Sequence, residues 1–410
     1  MYRRILVANR GDCAVRLISA CHALGAEAVL IAASDDRLTA PAALADVVVT
    51  TGMSRTAYTH QDNILAAMVQ TRCEAILPGW GFLSEDPIFA QRCRLMGRHF
   101  VGPKTPHLAL FGDKLATLRH LCPVLGLPLQ ALSCDDHHFW DLVSALPFPL
   151  MLKKRTGGGG KAVHLCHNTD ALRQHLKSRL AHDYFVEPAI LHARHIEFQI
   201  LGDGRGQAVI LGARDCTPQV HAQKWLERHV ALDTSPQIDA LAKRIAAHFA
   251  QMAYEGLATL ECLVQDNNFF LLEVNPRLQV EHGVTEMARG IDLVQASLSV
   301  ACGQVLPTCA SASAEVDVVE FRLFARSPGC LERIGFGGCP WPDHPHAHDP
   351  CYRLETGYTQ GERISGVYDG LIARFIVKAP PNQALHKLKA WLQDFQLTGL
   401  THNLADLMVY

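Results

Sequence analysis

The sequence predicts an α/β segment followed by α+β segments, and three observations carry that reading. The first third alternates buried apolar runs with amphipathic stretches, the βαβ pattern of a parallel sheet. The middle holds two strand-like runs, each ending in acidic residues and joined by a polar turn, which predicts an antiparallel hairpin. The 410 residues exceed one ordinary hydrophobic core, giving two or three domains at roughly 150 residues each.

Taken in order, residues 5–8 form a buried run, Gly11 follows, an amphipathic stretch extends through Leu24, and residues 28–33 form a second apolar run. After Ala75 and Ile76, Leu77-Pro78-Gly79-Trp80-Gly81-Phe82 crowds Pro and Gly together, as expected where a strand ends in a loop at the sheet's carboxyl edge. Gly102-Pro103 marks a boundary. Residues 259–263 and 269–274 read as the hairpin strands, with a turn at 265–268. Residues 309–315 are small and polar, as in a linker. The last segment carries a Pro/His-rich loop at 340–350 and a helix around 383–395.

Composition excludes several classes. With 38 basic and 40 acidic residues the net charge is -2, and no Lys/Arg run is dense enough for nucleic acid or a membrane surface. No stretch approaches the roughly 18 to 20 apolar residues of a membrane-spanning helix. The apolar run at the basic N-terminus stops at Asn9, too early for a signal-peptide core, and the 14 cysteines include no C-x-x-C pair. A reduced, cytoplasmic chain is expected.

The chemistry-bearing residues cluster. Lys153 ends an apolar run and is followed by Gly157-Gly158-Gly159-Gly160. Such a loop can cover phosphates with N–H groups while the ammonium neutralises charge, although a glycine-rich surface turn also explains the run alone. Glu261, Glu273 and Asn275 put three oxygen ligands on the predicted hairpin, where the two Glu can face each other and hold Mg²⁺; solvated alternate residues are the other reading. Downstream, Asn275-Pro276-Arg277-Leu278-Gln279-Val280-Glu281-His282 packs cation, amide, carboxylate and imidazole together, a density suited to orienting a small anion and removing its proton. Lys224 and Arg322 are further cations, each an ordinary surface charge if taken alone. The alternating His344, His346 and His348 lack a completing ligand set, so a solvated loop is preferred to a metal site.

These residues resemble the biotin carboxylase family. The resemblance rests on Asn9-Arg10-Gly11, Pro78-Gly79-Trp80-Gly81-Phe82-Leu83-Ser84-Glu85, Gly102-Pro103-Lys104, Gly112-Asp113-Lys114, Arg214-Asp215-Cys216 and, above all, the run from Glu273 to Glu286. It covers nearly the whole chain and weakens beyond Pro328. It implies a Rossmann-like N-terminal domain at 1–112, an ATP-grasp domain at 113–308 with a glycine-rich lid at about 130–186, and a C-terminal domain at 315–410. It implies that Lys114 and Lys153 contact ATP phosphates and that Gly159 and Gly160 cover them. Glu187, Pro188, Ala189 and Ile190 would meet the adenine, His195 and Gln219 the ribose. Glu261, Glu273 and Asn275 would hold Mg²⁺ or Mn²⁺.

Bicarbonate would sit near Lys224, Arg277, Gln279 and Val280, with Glu281 as its base. Arg322 would stabilise the biotin enolate. Carboxyphosphate is the implied intermediate. No Met-Lys-Met attachment motif occurs, so biotin is expected on a separate biotin carboxyl carrier protein, with a carboxyltransferase in trans, as in an acyl-CoA carboxylase. A different ATP-grasp ligase and a nucleotide-binding regulator are the alternatives; intact Lys224, Arg277, Glu281 and Arg322 argue against both.

The chain departs from the family pattern at identifiable places. Thr156 replaces the first lid glycine and Lys161-Ala162 stands for Arg-Gly. Pro188 replaces a lysine, Ala222 a ribose-contacting histidine and His221 an arginine. One lost neutral hydrogen bond costs about 0.5 to 1.5 kcal/mol, so ATP affinity is expected to weaken without loss of turnover. Arg374 ends a motif that usually ends in lysine. Ser19 and Ala23 replace charged residues on the helix through which the family dimerises, which implies a homodimer with an altered interface, although Arg16 remains.

Overall fold

The structure is a computed structural model that describes residues 1–157, 162–177, 179–220, 223–307 and 316–410. The predicted parallel sheet is present. It comprises β1 (Arg4–Val7), β2 (Glu27–Ala32), β3 (Val47–Thr50), β4 (Ala75–Leu77) and β5 (His99–Phe100), in the order β3-β2-β1-β4-β5. Its central strands are apolar almost without alternation because both faces are covered, Leu6 and Ile76 packing on one side and Ile5 and Leu77 on the other. The loops leaving β1 and β4 are tied together. Asn9 Nδ2 donates to the carbonyls of Pro78 at 2.7 Å and Trp80 at 2.8 Å.

A four-stranded antiparallel sheet follows, built from β6 (Leu132–Ser133), β7 (Leu150–Lys154), β8 (Val163–Cys166) and β9 (Tyr184–Pro188), in the order β6-β9-β7-β8. Lys153 lies on β7, so its side chain projects from a strand paired on both sides, with β8 and β9. Gly159, Gly160 and Lys161 lie outside the described residues, as do His221 and Ala222.

The remaining mass is organised by one eight-stranded antiparallel sheet. It contains β10 (Arg194–Asp203) and β11 (Ala208–Asp215). After a short arm of β12 (Gln219–Val220) and β13 (Gln223–Lys224) come β14 (Leu226–Val230), β15 (Glu255–Gln265), β16 (Asn268–Asn275) and β17 (Asp317–Phe324). Two small pairs, β18 (Gly329–Cys330) with β21 (Arg363–Ile364) and β19 (Arg333–Phe336) with β23 (Phe395–Thr398), flank β20 (Tyr352–Thr356) and β22 (Leu371–Ala379). The order β16-β15-β10-β11-β14-β17-β22-β20 runs across the segment 309–315, because β14 pairs with β17. The predicted hairpin is β15–β16, and its strands extend well beyond the residues the apolar runs mark.

Helix His282–Arg289 lies against this sheet, and Gly283 is where it touches. A Cβ there would stand 2.3 Å from Ile376 Cδ1 and 3.2 Å from Glu320 Oε2, so a larger residue would require those side chains to shift. The predicted C-terminal helix is Ala384–Leu392, and its Trp391 packs beneath the Pro/His loop. His346 stacks on Tyr352 with ring centroids 4.0 Å apart and His344 lies 4.9 Å from Trp391, so the first two imidazoles act as packing rings. Among the described residues no helix is long and apolar enough to cross a membrane.

Candidate active site

Strand register turns three isolated glutamates into one array. On β10 and β15 alternate side chains enter the apolar core, Ile196, Phe198, Leu260 and Cys262 among them, and the intervening polar ones face the other way. Pairing sets Glu197 opposite Glu261 and Glu261 opposite Glu273. Like charges directly opposite each other destabilise a sheet unless cations separate them.

The cations are present. Lys224 Nζ donates to Glu197 at 2.6 Å, Glu281 at 2.9 Å and Glu261 at 3.2 Å. Arg214, fully buried, donates to Glu197 at 2.5 Å, Gln199 at 2.8 Å and Thr285 at 2.7 Å. Lys114 Nζ stands 2.9 Å from Glu273, and His195 Nε2 2.7 Å from Glu261. Burial disfavours the Lys224 ammonium, but Glu197, Glu261 and Glu281 outweigh it and hold its pKa well above the usual lysine range. Glu261 is treated in the opposite sense: burial raises it, and Lys224 and His195 bring it far below the usual carboxylate range.

Glu281 sits just before helix His282–Arg289 and is 1% exposed. Burial pushes its carboxyl up, yet Arg322, Lys224 and Arg214 together hold it well below the ordinary value, so it is anionic. Arg322 Nη2 donates to it at 2.7 Å. The segment leading to Glu281 is fixed by Arg277, which donates to Glu85 at 2.5 Å, to Asn275 Oδ1 at 3.0 Å and to Gln279 Oε1 at 3.0 Å. Gln279 Nε2 in turn donates to Glu261 at 3.0 Å.

Lys114, His195, Lys224, Glu261, Glu273, Arg277, Gln279, Glu281 and Arg322 line one cleft of about 1410 Å³ between the four-stranded sheet and the eight-stranded one, with Glu197 and Arg214 buried behind its wall. Lys114, Lys153, Glu187, Pro188, Ala189 and Ile190 line it, with His195 and Gln219. Lys224, Glu261, Glu273, Asn275, Arg277, Gln279, Val280, Glu281 and Arg322 line it too, and the pairs Lys114 with Glu273 and His195 with Glu261 join the two sets. Every expected site residue that the structure describes therefore reaches the same space. Lys153 Nζ is paired with Glu187, and Gln219 Nε2 contacts His195 Nδ1 at 2.7 Å. Glu261, Glu273 and Asn275 form an oxygen-rich donor set of the hard kind that suits Mg²⁺. Their present neighbours Lys114, Lys224 and His195 are cationic or can become so, which fits a place built for positive charge.

Sequence reasoning missed Glu197, and it quoted Arg214 and Glu85 only inside motifs. A lone Glu between Ile196 and Phe198 was the available signal for Glu197: an acidic residue on an otherwise apolar strand that needs a partner.

Comparison with known proteins agrees with this geometry. Residues 1–108 match the profile described as the biotin carboxylase N-terminal domain, and residues 129–309 match that of the carbamoyl-phosphate synthase L chain ATP-binding domain. The chain is 32% identical over 427 residues to the mitochondrial methylcrotonoyl-CoA carboxylase subunit alpha of Mus musculus, covering 99% of this chain and spanning 59% of that relative. To chloroplastic biotin carboxylase 1 of Populus trichocarpa it is 32% identical over 421 residues, covering 97% of this chain and 78% of the relative. A biotin carboxylase from Campylobacter jejuni, solved with β,γ-ATP, superposes with a TM-score of 0.91 at 27% identity, covering 100% of this chain and 95% of that one. The biotin carboxylase domain dimer of Hydrogenobacter thermophilus 2-oxoglutarate carboxylase, solved with MgADP, ADP and bicarbonate, gives 0.91 at 29% identity, covering 100% and 93%. A cleft built around a carboxylate row, two matched domains and a relative covered over most of its length lead to one conclusion: this chain belongs to the biotin carboxylase family.

Proposed function

We propose that the chain carboxylates biotin, using ATP and bicarbonate. The observation that carries the reading is the convergence of Glu281, Lys224, Arg322 and Arg277 on a nucleotide-sized cleft, beside the carboxylate row. Lys114 and Lys153 neutralise the ATP phosphates, and Glu261, Glu273 and Asn275 would hold Mg²⁺, which when bound would supply further neutralisation of phosphate charge. Arg277, Gln279, the Val280 backbone and Lys224 orient bicarbonate. Glu281 takes its proton.

Bicarbonate oxygen then attacks the γ-phosphorus and ADP leaves, giving carboxyphosphate. Its breakdown yields CO₂ and phosphate, the phosphate accepts the ureido N–H proton, and Arg322 holds the biotin enolate for attack on CO₂. Glu281 is a weak base in the resting site. When substrate anions take over the hydrogen bonds of Lys224 and Arg322, its basicity rises toward what the step requires. A carboxyltransferase partner and the final acyl acceptor lie beyond this cleft, and an acyl-CoA carboxylase is the setting that the mouse methylcrotonoyl-CoA carboxylase relative supports.

The test is ADP release with and without bicarbonate and free biotin, together with incorporation of labelled bicarbonate into biotin. Release should require bicarbonate and rise with biotin. Indifference to both would remove the reading, and stimulation by another carboxylic acid would redirect it to a different ligase. A second expectation concerns ATP alone. Lys153→Met deletes a charged contact to phosphate, worth about 1.5 to 3 kcal/mol, so KM for ATP should rise by about one to two orders of magnitude. Steady-state kinetics at saturating bicarbonate checks this.

A further inference from the structure

Two carboxyls behind the cleft wall sit where physical chemistry disfavours them. Glu227 and Glu320 are directly opposite each other in the β14–β17 ladder, and both are 0% exposed. Neither lines the cleft, and none of their oxygens has a hydrogen-bond partner among the described residues. Desolvation and like charge both count against such a pair. What they share is Arg322. Its Nη2 lies 2.7 Å from Glu227 Oε1, and its Nε lies 3.7 Å from Glu320 Oε1. The same Nη2 is the atom that donates to Glu281.

The arrangement follows from the strands. Glu320 and Arg322 are two residues apart on β17 and so share a face, and the register brings Glu227 alongside them. A buried guanidinium with a single carboxylate in reach settles on it as a two-bond fork. With Glu281 as the only partner, that fork would occupy both the base and the cation that the reaction uses separately. Glu227 and Glu320 pull from the opposite side.

We infer that Glu227 is a positioning residue for Arg322, with Glu320 as a second anchor, and that together they hold the guanidinium back from Glu281 and toward the cleft. The inference rests on the biotin carboxylase reading. During turnover Glu281 becomes neutral as it takes the bicarbonate proton, and Arg322 then keeps its place through Glu227. Burial pushes Glu320 up to about 7 and Glu227 well above the usual carboxylate range. The pair therefore serves as oxygen-bearing anchors without adding two full charges to the wall.

The test compares Glu227→Leu and Glu227→Gln in the full chain, measuring kcat for biotin carboxylation, KM for ATP and the thermal midpoint. The leucine variant should lose about tenfold or more in kcat with KM for ATP within about twofold of the parent. Its midpoint should not fall, because a fully buried carboxyl has been replaced by an apolar group while Arg322 retains Glu281 and Glu320 as partners. The glutamine variant keeps an oxygen at the same place and should stay within about threefold of the parent. Full activity in the leucine variant overturns the inference, as does an equal loss in both variants accompanied by a lower midpoint. Should the leucine variant not fold, Glu227→Asp withdraws the oxygen by one methylene and carries the same expected kcat loss; parental turnover there overturns the proposal. A parent chain without bicarbonate-dependent ATP hydrolysis would remove the functional reading itself, a result distinguishable from an active parent with an unaffected variant.

Discussion

Glu281→Gln should lower bicarbonate-dependent ATP hydrolysis and biotin carboxylation by about 10² to 10⁴, the range a positioned general base contributes. The substitution keeps the side chain's shape and removes its ability to accept a proton as a carboxylate. The fold should tolerate it, because both cations that hold Glu281 have other carboxyl groups in place. Lys224 retains Glu197 and Glu261, and Arg322 retains Glu227 and Glu320. KM for ATP should change little, since the hydrogen bonds of Glu281 go to Lys224 and Arg322 and not to Lys114, Lys153 or the β9 segment. Phosphate release with and without bicarbonate, paired with a thermal melt, checks the claim. An unchanged rate would assign the base elsewhere, and a collapsed melt would show that Glu281 holds the sheet rather than the substrate.

What the sequence discloses about this cleft depends on distance along the chain. The hairpin carboxylates were legible because Glu261 and Glu273 bracket a short polar turn, although it is an irregularity of register between Glu261 and Cys262 that sets Glu261 opposite Glu273 rather than Leu272. The run from Asn275 to Glu281 was legible because a dense set of unlike polar groups has no use in a solvated loop. Glu197 was not, since its partner Lys224 arrives from a separate arm and its cross-strand neighbour Glu261 is 64 positions away, a pairing that only the sheet order creates. Glu227 and Glu320 were hidden for the same reason, each reading as an ordinary polar residue on its own strand. The His-rich loop shows the converse. Its spacing suggested solvent or metal, and what it meets is Trp391 and Tyr352, which composition does not reveal.

The largest expected stability effect belongs to Arg374, where the family pattern has lysine. Arg374 is fully buried on β22 and reaches three parts of the chain at once. Its Nε donates to Asp12 at 3.0 Å, its Nη2 pairs with Glu355, its Nη1 donates to the Val280 carbonyl at 2.5 Å, and its guanidinium lies 5.3 Å from the Trp80 ring. A guanidinium can do this because its donors fan out in a plane, whereas an ammonium offers one point of charge. Arg374→Met should therefore destabilise the chain by about 3 to 5 kcal/mol, the usual effect of deleting one partner of a buried ion pair. Glu355 would keep Arg353, but among the described residues Asp12 has no other cation in ion-pair reach. Arg374→Lys should fall between the two, keeping charge and losing part of the fan. Chemical denaturation midpoints of the three proteins check the order. The Val280 carbonyl links this measurement to the cleft: freeing it should also raise the KM for bicarbonate in the Met variant. A Met variant with the parent's midpoint and KM would mean that Asp12, Glu355 and the Val280 segment are held by packing alone.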